Sequence, residues 1–265
     1  MWKAPLSCVG AGVAAVAPSH RVRAGFCHAL DLILPPASLD GTERPFAPGL
    51  SARAWERIVW IEQPCCDGCG AAFAYDLGAG VRCAACEARP RAFARARCAC
   101  LSDETSRELI LKLKHGDRTD LAGLFAGWLN RAAGELIEEA DFVAPVPMSR
   151  GRLFRRRYNQ AAEIARALCR RSAGLYLPDA LVRAKDTGGQ GGRSRIGRAK
   201  AVRGAFAVTP AGARRIAGKR ILLIDDVLTT GATAEACARA FKAAGARAVD
   251  VAAVARVQEA EALSI

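Results

Sequence analysis

Apolar residues fall at helical spacing between Ser102 and Lys114, where Leu109, Ile110 and Leu113 share a face and Ser102 is placed to cap the start. A second helix is expected over Asp120–Glu139, with Asp120 as its cap. The texture then changes. Asp141 to Pro147 reads as a short apolar strand closed by prolines, Ser149 to Arg157 as a basic loop, and Asn159 to Arg171 as a helix. Residues Lys185 to Val202, rich in Gly and Arg, read as a long loop, and Ala205 to Val208 as a strand. Ile221 to Ile224 form the unbroken apolar run of a buried strand over Lys219–Asp225. A polar turn, a helix over Gly231–Ala244 and a strand over Ala248–Val257 follow, with Gly245 where a helix-ending glycine belongs. Strands alternating with helices predict an α/β fold: an open, mainly parallel sheet flanked by helices.

Ahead of this pattern the chain differs. Residues 1–57 lack sustained periodicity, contain Pro35, Pro36, Pro45 and Pro48, and read as a poorly ordered extension. The run Cys8–Ala17 ends in Ala15-Val16-Ala17, which imitates a signal-peptide cleavage site, but it is weakly apolar and preceded by only one cation, Lys3. No stretch approaches the roughly 18 apolar residues of a membrane helix, so membrane insertion is not expected. Residues 58–90 form a cysteine-rich module and 91–265 the larger α/β domain.

Of the 11 cysteines, five lie between Cys65 and Cys86. That clustering reads as metal binding in a reducing cytoplasm rather than as disulfides. Cys66-x-x-Cys69, thirteen residues, then Cys83-x-x-Cys86 is the spacing of a four-cysteine zinc ribbon. Gly68 and Gly70 supply the tight turns, and a closed thiolate shell makes such a zinc structural rather than catalytic. Cys65 can replace Cys66 at a gap one residue longer, which leaves the register open. Cys98 and Cys100 read as a half-buried strand, Cys169 and Cys237 as helix core, and His115 as a helix-terminal residue.

The richest segment is Ile221-Leu-Leu-Ile-Asp-Asp-Val-Leu-Thr-Thr-Gly-Ala-Thr233. Two carboxylates, Asp225 and Asp226, are followed by Thr229, Thr230, Gly231, Ala232 and Thr233 at the start of a helix. Helix N-termini at the carboxyl ends of parallel strands bind anions, Gly231 admits close backbone approach, and the threonines add hydroxyl donors. Ionised carboxylates only accept hydrogen bonds, so the pair suits a ligand presenting vicinal hydroxyls beside its phosphate, as a ribose phosphate does. No Gly-x-x-x-x-Gly-Lys-Ser/Thr occurs, which excludes a Walker loop.

The formal charge of +13 favours anionic partners. Arg150, Arg152, Arg155, Arg156 and Arg157 lie within eight residues, and Arg193–Arg203 holds five more basic residues. Such clusters serve a pyrophosphate, or the backbone of single-stranded DNA, although only Phe154 and Tyr158 offer stacking surfaces beside the first one.

The Asp225–Thr233 segment resembles the phosphoribosyl-pyrophosphate motif of type I phosphoribosyltransferases. The order Ala144-Pro-Val-Pro147, Arg152-Leu-Phe-Arg-Arg-Arg-Tyr-Asn-Gln160, Gln190-Gly-Gly-Arg-Ser-Arg195 and Arg203-Gly-Ala-Phe206, with Leu113–Arg118 and the four cysteines, resembles the ComF family of competence-associated, phosphoribosyltransferase-like proteins. Two departures fall at Ala201-Val202 and Thr187–Gln190. The resemblance implies a type I phosphoribosyltransferase-like sheet behind a small four-cysteine zinc ribbon, and a pentosyl transferase whose acceptor is left open. Asp225 and Asp226 would hold the ribose hydroxyls, Thr229–Thr233 the 5′-phosphate, and Pro145-Val146-Pro147 with Arg155 and Arg156 the pyrophosphate. Mg²⁺ would accompany the phosphoribosyl pyrophosphate, and 185–203 would form a hood. The partners it implies are phosphoribosyl pyrophosphate and other competence proteins, in DNA uptake; with the arginine clusters, the alternative is a non-catalytic competence factor that binds single-stranded DNA through the zinc ribbon and basic loops. Relatives in the wider superfamily place an acidic group where Thr229 stands, so no general base is evident.

Overall fold

The computed structural model describes residues 38–40, 49–115, 118–170, 175–184 and 204–258. Most of the 1–57 extension and the whole 185–203 loop lie outside the described residues. The chain divides into two units, Met1–Ser51 and Ala52–Ile265. In the first, the Asp40 carboxylate accepts from both the N–H and the hydroxyl of Ser51.

Seven strands and nine helices are described in the second unit. The helices α1 (Ala52–Arg57) and α2 (Ala84–Ala88) precede β1 (Ala96–Leu101). Next come α3 (Glu104–His115), α4 (Leu121–Ala132), α5 (Gly134–Glu139) and β2 (Phe142–Pro145), then α6 (Arg150–Arg156), α7 (Gln160–Cys169) and β3 (Leu175–Tyr176). β4 (Leu181–Arg183), β5 (Phe206–Val208), α8 (Pro210–Ile216), β6 (Arg220–Leu228), α9 (Ala232–Ala243) and β7 (Ala248–Arg256) complete the series.

Five strands form one sheet in the order β1-β7-β6-β2-β3, all parallel. β4 and β5 form a separate antiparallel pair. Ile221, Leu222, Leu223 and Ile224 are all fully buried, as expected where helices cover both faces of a parallel sheet. Because side chains alternate along a strand, Ile221 and Leu223 join Phe241 and Cys237 of α9 on one face, so Leu222 and Ile224 point to the other. α4 and α7 pack on each other and on the sheet. The outer edge of β1 is covered by an antiparallel segment: Ile61 donates to Ala99 and Leu101 to Val59, which blunts an otherwise open strand edge.

Local chemistry moved several boundaries. The cap of α3 is Asp103, not Ser102: Asp103 Oδ1 accepts from the Ser106 N–H at 2.7 Å while Ser106 Oγ accepts from the Asp103 N–H at 3.1 Å. That reciprocal pair outcompetes a lone serine one residue earlier. The single helix expected over Asp120–Glu139 is two helices, broken at Ala133 (φ −131°, ψ 26°) beside Gly134. Asp120 makes no capping bond, its carboxylate being taken by Arg118 at 2.8–3.2 Å. The basic stretch expected as a loop is helix α6, ended by Arg157 in the left-handed region at φ 65°. Cys98 and Cys100 are fully rather than half buried. Gly245 does close α9 with φ 96°, and the bonds Ala246 N–H to Phe241 and Gly245 N–H to Lys242 complete the motif.

Candidate functional site

Two sites are built from the residues singled out above. The first lies where the strand order reverses, at the carboxyl ends of β2 and β6. Pro145 and Pro147, which carry no N–H, bracket Val146, whose N–H makes the last bond to β6, to the Ile224 carbonyl at 2.9 Å. β6 does not end there. It stays paired to β7 as far as Leu228, so Asp225 and Asp226 are strand residues whose β2-facing edge is open. Asp225 fills part of that gap by accepting the Asp226 N–H at 2.9 Å.

The resulting cleft, of about 280 Å³, is lined by Asp225, Asp226, Thr229 and Thr233 on one side. Val146, Pro147, Arg152, Arg156, Asn159 and Gln160 line the other. Lys114, which comes from the end of α3, pairs with Asp226 at 2.8 Å, and the Tyr158 hydroxyl donates to the neighbouring Leu113 carbonyl. Arg183 of β4 completes the wall. Asn159 does two jobs: its amide donates to the Val146 carbonyl at 2.9 Å and its oxygen caps α7 through the Ala161 N–H at 3.1 Å. The amino end of α7 is thereby fixed against the Pro145–Pro147 turn.

Of the expected residues, Asp225, Asp226, Thr229, Thr233, Val146, Pro147 and Arg156 meet in this cleft. Pro145 lines an adjoining cavity. Thr230 and Gly231 are buried in the turn behind the cleft, Gly231 at φ 76°. Ala232 is partly buried at the first position of α9. Arg155 is exposed and does not line the cleft, because helix α6 puts Arg152 and Arg156, four residues apart, on one face and turns Arg155 off it. The arginine cluster alone could not separate them without the helix. Lys114, Asn159, Gln160 and Arg183 were not singled out as ligands. Gln160 is only 1% exposed and its Nε2 is buried with no partner among the described residues.

Burial and the adjacent Asp226 charge push the Asp225 carboxyl up from 3.8 to about 8. Without a ligand, Asp225 is therefore harder to ionise than an ordinary carboxyl.

The second site is the cysteine module. The four Sγ atoms of Cys66, Cys69, Cys83 and Cys86 lie within 4.8 Å of one another, spacing that fits one tetrahedral ion. The Cys83 N–H donates to Cys66 Sγ at 3.1 Å. Hydrogen bonds from the Cys69 and Cys86 thiols hold Cys66 well below the ordinary thiol range, and the same contacts push Cys69 and Cys86 above it. Cys65 packs instead against the main core, and burial pushes its thiol up. The module is locked to the sheet by Arg97, at 2.9 Å from Asp67, and by Arg256, which donates to the Cys69 carbonyl at 2.6 Å and approaches its Sγ at 3.6 Å. A Cβ at Gly70 would lie 2.7 Å from the Ala96 carbonyl oxygen, so only glycine allows this contact.

Residues 155–264 match the family model of the phosphoribosyl transferase domain. The fold is phosphoribosyltransferase-like. Solved structures similar to the chain include the allosteric regulatory enzyme of purine biosynthesis, at TM-score 0.34 and 23% identity. They also include the glutamine phosphoribosylpyrophosphate amidotransferase of B. subtilis complexed with ADP and GMP, at 0.33 and 20%. Each match covers 51% of this chain and 25% of the other, so the chain spans about a quarter of those enzymes' length. No curated protein matches. Within the phosphoribosyltransferase-like fold, the cleft occupies the switch point at which open α/β sheets bind ligands. No helix among the described residues is long and apolar enough to cross a membrane.

The raised Asp225 carboxyl has a sign that can be tested. Between pH 4 and 8 the folded protein holds a proton that the unfolded chain releases, so this group subtracts stability progressively as pH rises through that window. Ligand-free Asp225→Asn protein is expected to gain melting temperature over wild type on going from pH 5 to pH 8. Parallel thermal melts at the two pH values check it, and a constant difference counts against the buried neutral carboxyl.

Proposed function

We propose that the protein binds phosphoribosyl pyrophosphate with Mg²⁺ in the β2–β6 cleft and transfers phosphoribose to an acceptor still to be identified, as a protein of the ComF type. The observation that carries this reading is the pair Asp225 and Asp226 on a strand edge left open beside a threonine- and glycine-rich turn. Acceptor oxygens and an anion-binding helix start are thereby combined within one ligand's length. In this reading Asp225 and Asp226 accept from the ribose 2′- and 3′-hydroxyls, and the Thr229–Thr233 turn surrounds the 5′-phosphate. The pyrophosphate lies toward the Pro145-Val146-Pro147 turn, with Arg152 and Arg156 as donors. The oxygen-rich cleft suits Mg²⁺ carried by the ligand's own oxygens, where it would offset charge on the leaving group. The protein's share of the chemistry is orientation and charge stabilisation while the bond from the anomeric carbon to pyrophosphate breaks. Ligand binding needs Asp225 as an acceptor, so it draws a proton off that carboxyl.

The cysteine module is proposed to hold one structural zinc through Cys66, Cys69, Cys83 and Cys86, with Cys65 excluded because it packs into the main core. Elemental analysis of protein purified without added metal should give about one zinc per chain. A Cys66→Ser/Cys69→Ser variant should lack it; zinc retained in that variant places the metal elsewhere.

For the cleft, changing Asp225 and Asp226 together to Asn should leave the fold intact, because strand burial rests on Ile221–Ile224. Losing charge-assisted bonds of roughly 1.5–3 kcal/mol each should weaken Mg²⁺–phosphoribosyl pyrophosphate about a hundredfold or more. Calorimetry beside a thermal melt measures both. A variant that melts normally and binds like wild type reduces the acidic pair to a structural turn.

One observation favours single-stranded DNA as an additional partner. Phe154 is 89% exposed in the middle of α6, with Arg155 and Arg157 exposed beside it. Together they offer a stacking face and cations pointing away from the cleft. DNA affinity should fall steeply with salt, and replacing Arg155 and Arg157 should flatten the log–log slope by up to about two units. An unchanged slope removes α6 from any such interface.

A further inference from the structure

We propose that Arg91, in the segment joining the cysteine cluster to β1, is a positioning residue for the Thr229–Thr233 turn. The turn's affinity for a phosphate monoester would then depend on a side chain outside the β6–α9 motif. The inference rests on the phosphate-binding reading of that turn. Arg91 stands five residues after Cys86, and its side chain is 14% exposed. Its Nη1 donates to the Thr230 carbonyl at 3.0 Å and lies 3.8 Å from the Glu235 carboxylate. The same nitrogen would be 3.5 Å from a Cβ at Gly231, so the guanidinium lies against the backbone of the turn itself.

Two physical consequences follow. A trans peptide points its carbonyl and its N–H in opposite directions. Holding the Thr230 carbonyl on Arg91 therefore fixes the orientation of that peptide, with the Gly231 N–H turned to the side opposite Arg91. The second consequence is electrostatic. Glu235, 6% exposed in the first turn of α9, puts a negative charge at the helix end meant to attract a phosphate. Arg91 and Arg239, the latter at 2.6 Å, offset that charge. Without Arg91 the turn loses both its orientation and part of this compensation.

The test titrates the full-length protein with two probes, ribose 5-phosphate and Mg²⁺–pyrophosphate, by calorimetry. Thermal melts and zinc content are measured in parallel. Arg91→Met should weaken ribose 5-phosphate about ten- to hundredfold, while Mg²⁺–pyrophosphate, which belongs at the Pro145–Pro147 end, binds as in wild type. Arg91→Lys keeps a cation beside Glu235 and so guards against a folding failure. Its shorter side chain cannot carry the ammonium as far as Nη1 and lacks the planar fork, so it should show a smaller loss, again for ribose 5-phosphate alone. Equal losses for both probes, or none for either, overturn the positioning role. Wild-type protein that binds pyrophosphate but not ribose 5-phosphate overturns the phosphate reading of the turn and the role of Arg91 with it.

Discussion

β6 keeps its hydrogen bonds to β7 as far as Leu228, while on its other side β2 gives out at Pro145. The rest of the site depends on that inequality. It exposes a strand edge inside an otherwise covered sheet and leaves Asp225 and Asp226 on it. It also opens the space that Lys114, Arg152, Arg156 and Gln160 surround. Were β2 two residues longer, its backbone would occupy the cleft. The prolines that end it therefore serve the site as much as the acidic residues do.

The cleft is electrostatically unresolved when empty. Burial and Asp226 oppose the charge of Asp225, while Asp226 is paired with Lys114 at 2.8 Å. A ligand bearing hydroxyls for the carboxylates and phosphates for the cations would settle both at once. Such frustration in the free protein is what a site complementary to a polyanionic sugar should show.

The cysteine cluster belongs to the same mechanical unit. Arg256 reaches the Cys69 carbonyl from the end of β7, next to Val257, whose N–H bonds Leu228 just before the threonine turn. Arg91 meets the other side of that turn at Thr230. The residues that link the cysteine module to the sheet thus meet the turn from two directions.

Much of this was legible in the chain. The apolar run Ile221–Ile224 and the helix-ending Gly245 are local patterns with a single physical reading, and the Cys-x-x-Cys pairs left open only whether Cys65 or Cys66 belongs to the cluster. They set the alternation of strands and helices, the acidic pair before the threonine turn and the four-thiol cluster. Other features depend on competition between neighbours. Asp103 displaced Ser102 as a cap because Ser106 could answer it, and Arg157 closed a helix where only a basic loop was expected. What only the tertiary structure decided is which side chains from distant segments converge. It selected Arg152 and Arg156 over Arg155 through the face of α6, and excluded Cys65 by packing it into the core. It also brought Lys114 and Arg91 more than a hundred residues along the chain to Asp226 and Thr230. Periodicity and spacing report on neighbours along the chain, whereas strand order and helix rotation fix these meetings.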